Sequence, residues 1–424
     1  MIFANVTLES DDLAVTVFLP RGIKEDEPAY YYASRFEHGS MVGNIKRKVG
    51  DVEHTLFQSD VWRAPHNSHW PESGVGLASE FGVGDDGGWC FYRCGWPGAE
   101  GVTNGLLGYN DAKLGGSFLK IGVGALIKGS CPACDSAEEY KFNSPYLFAS
   151  PPKWSMSQDS GDSLRLEHSA TLDKYGYRLV KDISLHGNIL TVTSTLTNLG
   201  SEHFRTAWYS HHFFNCDGVA VGPGYSIDLD LKGDGSTLYQ EPGTWSWSTP
   251  LLQYANVLGL PDAIRVAMTR ALQPGVRIKT EFVNDGSTNG GFNLNACQTN
   301  IIASFPEVES GTIPMYAYNF YAERATFSPE PQLLLELDPG ASKSWTQVLQ
   351  ISDLVEEQSI VSFQSVVSGI RWGAAAELET HQAVSPKPLA ACIVVVAVAT
   401  VLVINFVWSA RTRRRSYARI PDST

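Results

Sequence analysis

The segment "YSHHFFNCDG" (209–218) sets two histidines side by side, between aromatic residues and an Asn-Cys-Asp-Gly sequence. Histidine changes charge near neutral pH, so it can donate a proton, accept one or bind a metal. On a strand, adjacent side chains point to opposite faces, so His211 and His212 do not enter the same site. A tetrahedral metal site needs two or three further ligands. The nearby His203 is eight residues before His211, about 26 Å away along a strand. No metal centre is expected here. Two readings stay open: a pair of satisfied structural histidines, or a strand that carries the proton donor of an enzyme.

The elements that must hold these residues are strands. "LAVTVFLP" (13–20), "LRLEHSATL" (164–172), "YRLVKDISL" (177–185), "ILTVTSTLTN" (189–198) and "WTQVLQI" (345–351) alternate apolar and polar residues. Turn sequences such as "HGN" (186–188) separate them, and the glycines (39) and prolines (22) suit a chain with many turns. No sustained helical period interrupts residues 1–353. This region is expected to be one all-β domain, a large antiparallel structure of two packed sheets.

Residues 354–388 read as a linker or stalk that closes on "SPKP". Residues 389–410, "LAACIVVVAVATVLVINFVWSA", are 22 residues without a charge. As a helix they span about 33 Å, enough for a bilayer core of about 30 Å. Their Val, Ile, Leu and Phe residues favour insertion by roughly 4 to 7 kcal/mol. One transmembrane helix is therefore expected, with a short basic tail at 411–424. The first 20 residues show no basic region and no long apolar core, so they are not read as a signal peptide. Two topologies remain: a tail anchor with a cytosolic body, or, if the N-terminus is incomplete, a body on the other side. The arginines after the span favour the latter.

The net charge is −13. The tail carries five arginines and one aspartate, which leaves −17 for the rest. A body this acidic repels a phosphate backbone, and no phosphate loop or dinucleotide fingerprint is present. Nucleic acid is not expected as a partner, and "GVGDDGG" (82–88) reads as a turn. Of seven cysteines, Cys392 lies in the apolar run. Cys216 and Cys297 are isolated, and the default for each is a buried inert thiol. Cys90/Cys94 and Cys131/Cys134 form two close pairs, open to zinc, to disulfides or to free thiols.

The pattern "SHHFFN" (210–215) is similar to the N-H-(S/T)-Y-F-N segment of the galactose mutarotase (aldose 1-epimerase) superfamily. Ser210 takes the Asn place, His211 that of the catalytic acid and His212 that of the Ser/Thr. Phe213 takes the Tyr place, and Phe214 and Asn215 match. Residues 318–351, "YNFYAERATFSPEPQLLLELDPGASKSWTQVLQI", resemble the superfamily's closing stretch, in which a Glu before Pro is the general base. Glu330 takes that place. The resemblance covers roughly residues 8–353. It implies a β-supersandwich of galactose mutarotase type, no cofactor and no metal, and a small sugar as substrate.

The chemistry is sound by itself. Exchanging α and β anomers requires opening the sugar ring. A base takes the anomeric hydroxyl proton while an acid protonates the ring oxygen, and a Glu and a His can be tuned to do both near neutral pH. The departures fall elsewhere. The superfamily's second histidine, in a His-Gly pair, has no counterpart in "SGVGLASEFGVG" (73–84), where Glu80 supplies a polar group instead. His66 and His69 lie upstream, in an expected surface loop. Arg35 of "SRFEHG", expected on an early strand, is a candidate for sugar hydroxyls or for an ordinary ion pair, with Lys120 a weaker candidate, and His212, a further candidate for the sugar, is expected to face the opposite side or the cleft rim. Trp62, Trp70 and Trp208 suit either a sugar face or the core. Residues 89–105 look like an insertion. The implied activity is epimerisation of a hexose or hexose phosphate, with neutral sugars favoured by the acidic body. A non-catalytic carbohydrate-binding protein on a membrane stalk is the alternative, and a structural interaction protein a third.

Overall fold

Alternation in the sequence becomes alternation in burial. In the strand Ile189–Asn198, Leu190, Val192, Ser194 and Leu196 are buried, while Thr191, Thr193 and Thr195 are only partly so. The outward threonines bond across to the strand Ser342–Asp353, with Thr193–Thr346 at 3.2 Å, Thr195–Ser344 at 2.8 Å and Thr197–Ser342 at 2.8 Å. Such hydroxyl pairs are favourable cross-strand contacts. The "HGN" turn that joins Tyr175–His186 to Ile189–Asn198 needs a left-handed residue, and Gly187 supplies it at φ 56°.

The computed structural model describes residues 3–354 except 25, 58–74, 83–101, 104, 135–139, 142–143, 159, 230–254, 261–262, 274–277, 284–289 and 295–296. The described strands lie in one compact unit, Met1–Val355. They form three sheets rather than two. The first has ten strands. Its main path runs Asn5–Glu9, Leu13–Phe18, Met41–Val49, Leu77–Phe81, Phe204–His212, Thr326–Leu337, Met315–Glu323 and Ile278–Val283. Val102–Thr103 joins Phe204–His212 in parallel, an exception in an otherwise antiparallel set. The second sheet, also of ten strands, contains Ser163–Leu172, Tyr175–His186, Ile189–Asn198, Ser342–Asp353 and Thr299–Ser304 in that order. A small sheet of four holds Ser117–Lys120 and Gly124–Ile127. Among the described residues the helix is a single turn, Pro306–Glu309.

The main core joins the two large sheets. Trp208 of the first and Trp345 of the second are buried with ring centroids 5.3 Å apart. Lys181 of the second sheet lies beside both rings, and its ammonium donates to Glu37 and to Ser194 Oγ. A smaller apolar cluster of Tyr30, Tyr31, Ala33, Phe36, Met41, Val75, Ala78 and Phe213 covers part of the first sheet's opposite face.

The cysteine expectation is corrected in part. Cys216 and Cys297 are not isolated thiols but are bonded to each other, with Cα atoms 5.8 Å apart across a sequence separation of 81. The fold brings together two segments that look unrelated in sequence. Cys131 and Cys134 are bonded to each other as well. Cys90, Cys94, most of the 89–105 stretch, and residues 355–424 lie outside the described residues. That includes nearly all of the 354–388 stalk, the apolar run and the basic tail. Among the described residues, no helix is long and apolar enough to cross a membrane.

Candidate active site

The strand Phe204–His212 is buried on both faces almost throughout. Trp208, Ser210 and His212 look one way, and Tyr209, His211 and then Phe213 look the other. The register toward Thr326–Leu337 pairs Tyr209 with Gln332, and an isolated bridge pairs Phe214 with Phe327. The same register sets His211 opposite Glu330, on one face of the sheet. Between the two pairings the ladder stops. Phe327 exchanges both backbone hydrogen bonds with Phe214, so its N–H points toward the histidine strand. Alternation gives residues 329 and 331 the same orientation, and both are prolines without an N–H. The "SPEP" sequence thus opens the ladder where the histidine faces the glutamate.

His211 Nε2 lies 3.3 Å from Glu330 Oε1, and the two side chains are 4% and 7% exposed. His211 Nδ1 lies 3.3 Å from Ser328 Oγ. A hydroxyl serves either state of the ring: it donates to a neutral Nδ1 and accepts from a protonated one. The imidazole stacks on Phe213, with centroids 4.4 Å apart, and meets Phe36 edge-on at 5.5 Å. Tyr321 lies 5.6 Å away.

A second cluster sits on the same face. The register pairs Tyr209 with Glu80 of the strand Leu77–Phe81. Glu80 Oε2 accepts from Tyr209 OH at 2.7 Å and from Arg35 Nε at 3.1 Å, and Glu80 Oε1 accepts from Lys120 Nζ at 2.8 Å. Lys120 also donates to Tyr140 OH at 3.2 Å. Burial pushes the Glu80 carboxyl up, but Lys120, Arg35 and the hydrogen bonds outweigh it and hold it below the usual range. Burial lowers Lys120, only partly offset by Glu80. Tyr209 is pushed well up, first by burial and then by the Glu80 charge. Gly76 seats this strand: it holds φ +88°, and a Cβ there would fall 2.0 Å from the Val42 carbonyl oxygen.

One expectation of placement changes and one alternative is decided. Arg35 lies on an irregular bend rather than a strand, and from there reaches Glu80 and Tyr209. Of the two positions expected for His212, it takes the opposite side rather than the cleft rim. It is 3% exposed and faces Gln347 and Lys181 of the second sheet, on the opposite side from His211. Strand alternation is the reason. Trp208 is core, and His203 pairs with exposed Glu336 at 3.2 Å. Trp62, Trp70, His66 and His69 lie outside the described residues. The sequence reading missed Ser328, Tyr209 and Gln332. Gln332 is fully buried, and its amide has no hydrogen-bond partner among the described residues. For two of them a signal was available: Ser328 and Gln332 flank Glu330 at alternate positions of the strand Thr326–Leu337, and so share its face.

The buried histidines imply a pH dependence. Burial lowers His212 from 6.5 to about 3 and His38 from 6.5 to about 4. Both rings stay neutral when folded and take up a proton on unfolding. Stability is therefore full above about pH 6.5 and falls as pH drops. At pH 5.5 each ring costs about 1.4 kcal/mol relative to neutral pH. Urea midpoints measured between pH 7.5 and 5.5 should fall less steeply in His212→Gln than in wild type. Parallel slopes would assign the acid sensitivity to other groups.

No family model and no curated protein matches the chain. Solved structures do. The galactose mutarotase related enzyme from Lactobacillus acidophilus is 10% identical at a TM-score of 0.46, over 83% of this chain and 98% of that one. The GalM/aldose epimerase homologue from C. elegans is 10% identical at 0.46, over 84% and 100%. A galactose mutarotase-like protein from Lactobacillus casei ATCC 334 is 12% identical at 0.44, over 82% and 100%. Three of the solved structures to which this chain is similar are thus described as galactose mutarotase-like or aldose epimerase-related proteins.

Proposed function

We propose that the protein is an aldose 1-epimerase-like isomerase, exchanging the α and β anomers of a hexose or hexose phosphate. The supporting observation is the buried His211–Glu330 pair, register-opposed and 3.3 Å apart. Glu330 takes the proton from the anomeric hydroxyl as His211 gives one to the ring oxygen, and the bond between C1 and that oxygen breaks. The carbonyl then turns over. Ring closure returns both protons, so the pair ends each cycle as it began. The two sugar oxygens are borne by one carbon, and an acid and a base this close together span both. Ser328 accompanies His211 through both protonation states, and the Gln332 amide, without a hydrogen-bond partner among the described residues, offers a donor and an acceptor for a sugar hydroxyl.

The test is the α-to-β conversion of freshly dissolved glucose, galactose and glucose 6-phosphate, followed by NMR with and without protein. A non-catalytic carbohydrate-binding protein is the second reading. It is favoured by the aromatic rings of Phe36, Phe213 and Tyr321 around a histidine that is barely exposed. Saturable sugar binding without faster exchange would select it. We also propose that residues 389–410 anchor the protein in a bilayer. The full chain should float with lipid vesicles, and arginine at both Val396 and Val401 should abolish flotation.

A further inference from the structure

The turn beyond the histidine strand carries chemistry that the acid–base pair does not use. Asp217 holds a left-handed backbone, φ 48°. Its Oδ1 accepts from the Thr55 N–H at 2.7 Å, and its Oδ2 lies 2.7 Å from His54 Nδ1. Cys297 Sγ lies 3.9 Å from the same Oδ2. The ligating atoms of His54, Asp217 and Cys297 are all within 4.8 Å of one another. Cys297 is bonded to Cys216, the neighbour of Asp217 in sequence. Two sulfurs, an imidazole and a carboxylate therefore converge from three separate segments. As a disulfide the sulfurs carry no thiolate and hold no metal.

We propose that reduction of the Cys216–Cys297 disulfide by a thiol opens a zinc site held by Cys216, Cys297, His54 and Asp217. Two thiol molecules supply two electrons and two protons. The protein S–S bond breaks, a disulfide forms between the reductant molecules, and each cysteine gains a proton. A zinc ion then displaces both thiol protons and takes two thiolates, the Asp217 carboxylate and the neutral His54 ring. This is a closed tetrahedral set, and its two soft sulfurs select zinc over magnesium or calcium. Zinc bonds of about 2.0–2.3 Å put ligand atoms about 3.3–3.8 Å apart, so the 3.9 Å Cys297–Asp217 contact closes slightly, while the 2.7 Å His54–Asp217 contact widens and the two sulfurs part on reduction. The Thr55 N–H already fixes one Asp217 oxygen and leaves the other toward the ion, as a supporting shell does. The cysteines are buried, but the Asp217 and His54 side chains are 39% and 16% exposed, which gives the ion a way in.

The experiment uses the full chain, reduced with 2-mercaptoethanol under argon, desalted and titrated with Co²⁺ as the probe. Reduced wild type should show thiolate-to-cobalt absorption for one more ion per chain than Cys216→Ser/Cys297→Ser. That excess should be missing before reduction. His54→Ala should weaken that binding by about 10- to 100-fold or more. Equal cobalt uptake by wild type and the serine pair, or full affinity in His54→Ala, overturns the proposal. A second readout needs no variant. Zn²⁺ should slow air re-closure of Cys216–Cys297, followed by mass mapping. Equal rates with and without Zn²⁺ would mean an ordinary ion pair beside a structural disulfide.

Discussion

Replacing His211 with Asn, or Glu330 with Gln, is expected to lower the rate of anomer exchange by about 10² to 10⁴. Glu330→Gln keeps the size and polarity of the side chain, His211→Asn keeps a polar but smaller one, and both remove the ability to trade a proton. The step needs both transfers, so losing either group stalls ring opening. The double variant should accordingly be little slower than the worse single one, because the two residues act as a unit. Sugar affinity should change far less than rate, since neither exchange removes the aromatic surfaces or Gln332. Ser328→Ala is a finer probe. It leaves both reacting groups in place and removes the hydroxyl 3.3 Å from His211 Nδ1, so it should give a smaller loss than either. A wild-type rate in His211→Asn or in Glu330→Gln would end the acid–base reading.

Much of the fold was legible because strand alternation is a local signal. The runs at 164–172, 177–185, 189–198 and 345–351 became neighbours in one sheet, joined by turns that the sequence marks with glycine and asparagine. The candidate pair was legible as two motifs, "SHHFFN" and "SPEP", but their register was not. Register depends on 541 as the constant sum of paired residue numbers, which emerges only when both strands are laid side by side. The opposite fates of His211 and His212 follow from alternation, yet which of the two meets a carboxylate is a tertiary fact. The Cys216–Cys297 link was illegible for a related reason: nothing local ties residues 81 apart. Arg35 was expected on an early strand, and it is flanked by aromatic residues such as Tyr31 and Phe36. In the fold, those aromatics cover a sheet face instead of lying in one.

Glu80→Gln is expected to cost about 3 to 5 kcal/mol of stability, the usual effect of leaving buried charge uncompensated. The shape of the side chain is kept, but Arg35 and Lys120 then face each other's charge with no carboxylate between them. Both are about as buried as Glu80 itself, at 2%, 1% and 1% exposed. The control is Glu53→Gln. Glu53 meets Lys46 at 2.7 Å, closer than either ion pair of Glu80, but with side chains 48% and 45% exposed. Water screens that pair, so its loss should cost about 1 kcal/mol or less. Distance alone predicts the reverse order, and burial decides it. The pH dependence carries a sign. The Glu80 carboxyl titrates below its unfolded value, so its contribution is present above about pH 4.5 and is lost as pH falls through the lower folded value. The acid limb of stability should therefore be shallower in Glu80→Gln. On the alkaline side, Lys120 without its carboxylate releases its proton more readily, and the deficit of the variant should shrink as pH rises toward 10. A deficit no larger than that of Glu53→Gln, unchanged across this range, would show that Arg35 and Lys120 are neutralised by something other than Glu80.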